Sequence, residues 1–341
     1  MSSESKLEQM PGAVEHDAPF FSVIIPTRNR PGLFQRALQS VLAQSTQDLE
    51  VIVVNDGSAG EYLAAYQAME ADAADCVSWI CQAQRPNGHG PSYSINTGAR
   101  AARGRYLCIL DDDDSWEDME HLQTARDVIL RSDGDVDAYY SNQVAYDENN
   151  QRVEHALWLD GLANQLPITN APCGTFRVEP RTLLQHGGFP HLNCTILHRQ
   201  LFLDLGGMDE GIRYECEVDL YLRTLSVASH IIYTARCIGR HNVPAISKRN
   251  NESTSVDETQ KRLSQIRVYQ KNLCTSEHPD VVDACRTRLS PLYKHLTTLK
   301  RQSGERKAAA VLARVALAHR YSLKWQAYCI YLAVFAMLDR R

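Results

Sequence analysis

Four consecutive carboxylates, Asp111-Asp112-Asp113-Asp114, close the apolar run Tyr106-Leu107-Cys108-Ile109-Leu110 and are followed by Ser115-Trp116. The run is short, bounded and rich in bulky side chains, so it reads as a buried strand. Like charges repel and hold water, so the four acids must emerge at the strand's C-terminal end. Carboxylates crowded there can hold a hard divalent cation, Mg²⁺ or Mn²⁺, which in such a site also grips phosphate oxygens. Taken alone, the four acids fit equally well an acidic turn capping a helix that begins near residues 115–118.

The elements upstream favour the cation. Phe21–Pro26, Leu49–Val54 and Val77–Cys81 are further apolar runs of strand length. Between them lie stretches of helical character: one opened by Pro31 with Leu33, Phe34, Ala37, Leu38, Val41 and Leu42 at helical spacing, an alanine-rich one from Ala59 to Asp72, and one from Gly90 to Arg103. This β-α-β-α-β-α-β series predicts an α/β fold with a mostly parallel, doubly wound sheet. Each strand is followed by polar residues: Arg28 and Asn29, then Asp56, then Asn87-Gly88, then the acids. Parallel strands bring all of these to one sheet edge, where ligands bind. There Arg28 can meet phosphate or base oxygens, and Asp56 can accept from a pyrimidine N–H or a ribose hydroxyl. On its own, Asp56-Gly57-Ser58 reads as a turn and helix cap. Neither a GxGxxG nor a Walker sequence occurs, which weighs against dinucleotide and P-loop readings.

With 341 residues, 44% hydrophobic and 23% charged, the chain has the composition of a soluble protein of two domains, or one large domain with an appendage. A net charge of −5 argues against general nucleic-acid binding. Ten cysteines stand without any CxxC pair, which fits reduced thiols in the cytoplasm better than disulfides or a zinc site. Residues 1–19 are polar and carry no apolar core of signal-peptide length, so they are expected to form a loose tail.

The ordered series Val-Ile-Ile-Pro-Thr-Arg-Asn-Arg, Glu-Val-Ile-Val-Val-Asn-Asp-Gly-Ser, Asn-Gly and Gly-Arg-Tyr-Leu-Cys-Ile-Leu-Asp-Asp-Asp-Asp-Ser-Trp strongly resembles the family 2 glycosyltransferases of GT-A fold, over roughly residues 20–250. That resemblance implies a nucleotide-sugar donor, UDP-sugar before others, a Mn²⁺ or Mg²⁺ cofactor and inversion at the anomeric carbon. The DXD motif falls on Asp111-Asp112-Asp113, with Asp114 as acidic neighbour; the resemblance places Asp111 and Asp112 on the nucleotide-sugar and Asp113, Asp114 and His241 on the metal. Asp111 would face the nucleotide ribose and Asp113 the metal, while Pro26, Thr27, Arg28 and Asp56 would form the nucleotide cradle. The resemblance also puts Asn29, Asn87, Gly88 and Asn96 on the nucleotide-sugar; an arginine commonly precedes the asparagine at Asn96, and here Ile95 stands in its place, which leaves one phosphate or sugar contact to be supplied from elsewhere.

Farther along, a helix is expected from Glu117 to Leu130 and a strand from Asp137 to Asp147. Residues 148–192 are irregular and contain Trp158, Phe176, His186 and His191; the acceptor side is placed there. Trp158 alone reads as packing. Gly206-Gly207-Met208-Asp209-Glu210, leading to Glu215-Cys216-Glu217-Val218-Asp219-Leu220, resembles the family's segment ahead of the catalytic base. Its register puts Glu217 where an aspartate base is expected, with Glu215 the neighbouring candidate. Both could instead enrich a helix N-terminus with negative charge. A strand is expected from His230 to Ala235, with Cys237 to His241 following it; by the same resemblance His241 completes the metal site, and Ser247, Lys248 and Arg249 lie on a loop that closes over the diphosphate.

From residue 256 the chain reads as helix after helix, and residues 301–341 hold eight Lys or Arg against two acids. The apolar stretch Trp325–Leu338 is too short to span a bilayer. It suits packing, a homodimer contact, or a peripheral position on the inner face of the membrane. The expected organisation is a tail (1–19), a GT-A domain (20–255, nucleotide-sugar half 20–116 and acceptor half 117–255) and a C-terminal helical region (256–341). The expected activity is transfer of a sugar to a hydroxyl of a glycan or lipid-linked acceptor, in surface polysaccharide assembly. A sugar-phosphate nucleotidyltransferase and a non-catalytic sugar-nucleotide binder are the rivals. The first is disfavoured because Thr27-Arg28-Asn29-Arg30 lacks glycine; the second rests on Cys216 replacing an acid.

Overall fold

The computed structural model describes residues 18–153, 158–167, 172–243 and 256–338. Most of the expected tail, and Ser247, Lys248 and Arg249, lie outside the described residues. The first half alternates as read: β1 (Phe21–Thr27), α1 (Pro31–Leu42), β2 (Leu49–Asn55), α2 (Gly60–Ala71), β3 (Val77–Cys81), α3 (Pro91–Ala101) and β4 (Tyr106–Ile109). Then come β5 (Ser115–Trp116), α4 (His121–Arg131), β6 (Ala138–Tyr146), β7 (Thr175–Val178), α5 (Pro180–His186), β8 (Thr195–His198), α6 (Arg199–Asp204), α7 (Cys216–Val227) and β9 (Ile231–Asn242). Helices α8 (Glu258–Thr275), α9 (Pro279–Gln302), α10 (Arg306–His319) and α11 (Leu323–Leu338) complete it.

The sheet runs β3-β2-β1-β4-β8-β6-β9-β5, with β7 also on β9. Strands β3, β2, β1 and β4 are all parallel, with Thr27 opposite Asn55 and Ile24 opposite Ile109. Both faces of this half are covered, as a parallel sheet requires. Ile24, Ile52, Val54 and Ile109 pack with Ile95 and Ala99 of α3, while Val23, Ile25, Val51 and Val53 pack with Phe34 and Leu38 of α1 and with α4. At Gly98 an added Cβ would lie 2.6 Å from Ile24 Cγ2, so only glycine lets α3 settle this close to β1.

Strand β8 runs antiparallel to β4, with Cys108 opposite Ile196. The residues just before β8 therefore arrive beside the acidic end of β4. Strand β9 pairs with β6 in parallel and with β5 antiparallel, Ser115 facing Arg240. Those pairings account for two departures from the sequence reading. Ser115 and Trp116 join the sheet, so α4 starts at His121 rather than Glu117, and β9 runs on far enough to carry His241 itself. The stretch read as irregular also contains β7 and α5.

Helix α8 packs on α7 through Asp219, which is fully buried and accepts from Arg223 Nε at 2.8 Å, Lys271 Nζ at 2.9 Å and Asn272 Nδ2 at 3.0 Å. Lys271 also reaches Asp209 at 2.8 Å. The C-terminal helices are thus tied to the segment that leads into α7. Among the described residues no helix is long and apolar enough to cross a membrane.

Candidate active site

A cleft of about 1230 Å³ opens at the C-terminal edge of the parallel strands. Pro26, Thr27, Arg28, Asn29, Asp56, Asn87, Asp111, Asp112, Asp113, Glu215, Glu217 and His241 all line it. Loops from separate parts of the chain therefore meet where strand order predicts.

The floor is a set of interlocked turns. Asp56 accepts from the His89 N–H at 2.7 Å and the Gly90 N–H at 3.0 Å, and its Oδ1 lies 2.8 Å from His89 Nδ1. Arg28 Nη2 donates to the carbonyls of Arg85 and Pro86, each at 3.0 Å. Asn29, at φ +58°, donates its N–H to Ser58 Oγ and accepts from the Ala59 N–H. Gly88, at φ +63°, leaves room for the Asp56 carboxylate, which an added Cβ would meet at 2.4 Å. Arg28 and Asp56, read from the sequence as facing a nucleotide, thus also hold the turn that follows β3.

Asn96, expected on the nucleotide-sugar, does not line the cleft. Its Nδ2 donates to the Met208 carbonyl and to Glu210, and its Oδ1 accepts from the Met208 N–H, so it fastens α3 to the loop before α7. Ile95 and Arg213 do line the cleft, with the Arg213 guanidinium beside Gly90.

The four acids have four environments. Asp112 is buried behind the first loop, accepting from Thr27 Oγ1 at 2.7 Å and pairing with Arg30 at 2.6 Å. The same guanidinium reaches Asp113 Oδ2 at 2.8 Å. Burial works against the Arg30 charge, and Asp112, Asp113 and Asp111 more than offset it, holding Arg30 above its ordinary range. Burial pushes Asp112 up to about 7 even with Arg30 opposing. Burial and then its acidic neighbours raise Asp111 well above the usual carboxylate range. Asp114 is also raised by burial, though it accepts from Asn193 Nδ2 at 2.5 Å and the Asn242 N–H at 2.7 Å and pairs with His241 Nδ1 at 2.7 Å.

Opposite them, Glu217 is raised to about 8 by burial and then by Glu215, with His241 pulling the other way. Glu215 is raised by burial too, and its carboxylate accepts from Gln265 Nε2 of α8 at 2.8 Å. It occupies left-handed backbone at φ +68°, an uncommon place for a non-glycine residue and the point where the chain turns into α7.

Arg30 and Asn193 were not among the expected site residues, and His191 and Trp158 were placed only on the acceptor side, with no role. His191 Nε2 lies 3.8 Å from both Asp111 Oδ2 and Glu217 Oε2. Burial, and then the neighbouring His241, hold it neutral. Trp158 packs edge-on against His191 and His241, with ring centres 5.5 and 5.2 Å away. Asn193 Oδ1 accepts from the Asp111 N–H at 2.9 Å while its Nδ2 holds Asp114, so one side chain sets both ends of the acidic turn. For Asn193 the only sequence signal was its position ahead of an apolar strand; for His191 it was membership of the irregular stretch 148–192.

The donor set fits a hard divalent cation. Carboxylates forced together at raised affinity for protons form a surplus of negative charge that a cation relieves. Asp114, His191 and His241 bring possible ligand atoms within 4.8 Å of one another. With Nδ1 engaged by Asp114, His241 keeps Nε2 for a metal.

Residues 22–205, more than half the chain, match Glycosyl transferase family 2, and the chain belongs to that family. It is 26% identical over 228 residues to the succinoglycan biosynthesis protein ExoW of Rhizobium meliloti, covering 64% of this chain and 63% of that one. It is 34% identical over 96 residues, 28% of this chain and 30% of the relative, to the GalNAc(5)-diNAcBac-PP-undecaprenol beta-1,3-glucosyltransferase of Campylobacter jejuni. These two matches span less than two thirds of the relatives' own length. Among solved structures, S. aureus TarS 1-349 with UDP-GlcNAc superposes at a TM-score of 0.59 and 15% identity, covering 92% of this chain and 79% of that one. The mannosyltransferase PcManGT of Pyrobaculum calidifontis, with GDP-Man and Mn²⁺, gives 0.56 and 19%, covering 96% and 89%. The fold is GT-A, with C-terminal helices.

Proposed function

We propose that the protein is a metal-dependent, inverting glycosyltransferase that moves a sugar from a nucleoside-diphosphate donor, UDP-sugar first, to a hydroxyl of a glycan or lipid-linked acceptor in surface polysaccharide assembly. The observation that carries this is the single cleft in which Glu217 and the Asp111–Asp113 turn face one another, with His191 between Glu217 and Asp111. The family, a relative in succinoglycan biosynthesis and another named for an undecaprenol-linked substrate support the setting. A cytoplasmic place beside the inner membrane face suits such an acceptor.

In this reading Asp113 and His241 hold the cation, Mn²⁺ or Mg²⁺, which neutralises charge on the departing nucleoside diphosphate. Asp114, read from the sequence as a ligand, is given the role of orienting His241, because its carboxylate already takes Asn193 Nδ2, the Asn242 N–H and His241 Nδ1. Asp111 faces the nucleotide, Asp112 braces Thr27 and Arg30, and Pro26, Arg28, Asn29, Asp56, Asn87 and Gly88 shape the nucleotide cradle. Glu217 removes the acceptor proton as the hydroxyl attacks the face opposite the leaving group. Glu217 is preferred to Glu215 because the Glu215 carboxylate is engaged by Gln265, whereas Glu217 adjoins Asp111.

The test is release of nucleoside diphosphate from a panel of UDP- and GDP-sugars, with Mn²⁺ and with chelator. Glu217→Gln should lower the rate by about 10²–10⁴, and Glu215→Gln should leave most of it. Pyrophosphate as the product would establish the nucleotidyltransferase instead, and binding without turnover the non-catalytic binder.

A further inference from the structure

The last helix, α11, packs one side on α10 through Cys329 and Leu332 and turns a second apolar side outward. Leu323, Ala327, Ile330, Val334 and Met337 recur at helical spacing on that outer side, with Leu323 74%, Ile330 61% and Met337 68% exposed. Tyr331 and Phe335 border them, also exposed. A helix normally turns its apolar stripe to a core; this one has a stripe on each side.

The surroundings are cationic. No Asp or Glu occurs from Arg306 to Leu338, against five Lys or Arg, although the chain as a whole is acidic. Arg306 lies 5.9 Å from the Phe335 ring and Lys294 lies 5.0 Å from the Trp325 ring. Lys307 and Arg314 are exposed on α10, and Arg320 and Lys324 at the turn between the helices.

We propose that this outer face of α11, with its basic border, lies on an anionic phospholipid surface. The helix has 16 residues, so its face is about 24 Å long and about 10 Å wide. A second copy seated on it would cover roughly 250 Å² per partner, far below the ~800 Å² of a stable protein interface. A bilayer has no such requirement: the apolar stripe enters the headgroup boundary, lysines and arginines meet lipid phosphates, and the exposed Tyr331 suits the interface. The helix lies on the bilayer, because it is too short to cross.

The test is flotation of the full chain with vesicles of phosphatidylethanolamine and phosphatidylglycerol, against pure phosphatidylcholine. Binding should require the anionic lipid and weaken as salt is added. Ile330→Asp with Val334→Asp, and separately Lys307→Glu with Arg314→Glu, should weaken it by roughly tenfold or more. Val227→Asp, at an apolar site 58% exposed on α7, should not. Circular dichroism and donor hydrolysis in solution should be unchanged in every variant, which separates lipid binding from the proposed chemistry. Equal binding to both vesicles, no binding, or a dimer in sedimentation velocity that Val334→Asp dissociates in place of vesicle binding would overturn the proposal.

Discussion

His191 accepts the Asn193 N–H at Nδ1, across 3.3 Å. A neutral imidazole that accepts at Nδ1 carries its proton on Nε2. Nε2 lies 3.8 Å from both Asp111 Oδ2 and Glu217 Oε2, so a polarised N–H stands beside two carboxylates that line one cleft.

His191 is therefore a positioning residue for Glu217. His191→Leu should lower kcat by about tenfold, since it removes the polar ring that faces both carboxylates at 3.8 Å. His191→Gln can still donate and should recover part of that rate. Donor KM should change less than kcat, because of the donor's expected contacts only Asp111 adjoins His191. Initial rates of nucleotide release for the three proteins check this.

The raised affinity of Glu217 for protons makes two pH-dependent predictions of opposite sign. As a base it must be ionised, so kcat/KM should fall as pH drops below about 8. A bound divalent cation favours the carboxylate and should move that limb to lower pH. For stability the sign reverses. A folded-state value above the unfolded one stabilises fully below about 4.5, and that contribution is lost as pH rises through about 8. Thermal unfolding of metal-free protein should thus lose ground between pH 5 and pH 9, and Glu217→Gln should flatten the loss.

Much of the donor half was legible because its signals are local. The strands Phe21–Thr27 and Leu49–Asn55 are almost wholly buried and end at polar residues, so apolar run and boundary coincide in sequence. What lay hidden depends on long-range pairing. Asn193 and His191 acquire their roles because β8 runs antiparallel to β4, and nothing near residue 193 announces its partner near residue 108. His241 lies within a strand rather than after one because the long-range pairing of Arg240 with Ser115 extends β9. Asp56 and Arg28 show the converse. Their chemistry suits a nucleotide, and their hydrogen bonds to residues 85–90 depend on a turn whose course the sequence did not specify.

Arg30 joins two of the acids that crowd the edge, and only one of them faces solvent. Asp112 is 1% exposed and Asp113 18%. Replacing Arg30 by alanine leaves Asp112 buried beside its acidic neighbours without a counter-charge, and should destabilise the fold by about 3 kcal/mol. The double variant with Asp112→Asn should regain much of this. Urea unfolding of the two single variants and the double variant measures the coupling.

Asp114 and His241 form a pair in which the carboxylate sets the ring. The 2.7 Å contact at Nδ1 fixes both the tautomer and the tilt of the imidazole, and the Asn193 and Asn242 donors hold the carboxylate in turn. Were Asp114 itself a ligand, Asp114→Asn would nearly abolish cation binding. As an orienting group it should lower Mn²⁺ affinity by about 10–100-fold and leave the stoichiometry intact. His241→Ala should remove a ligand outright and cost more. The effects should also fail to add, since without the imidazole there is nothing left for Asp114 to orient. Calorimetric Mn²⁺ titration of the two single variants and the double variant separates a ligand from its support.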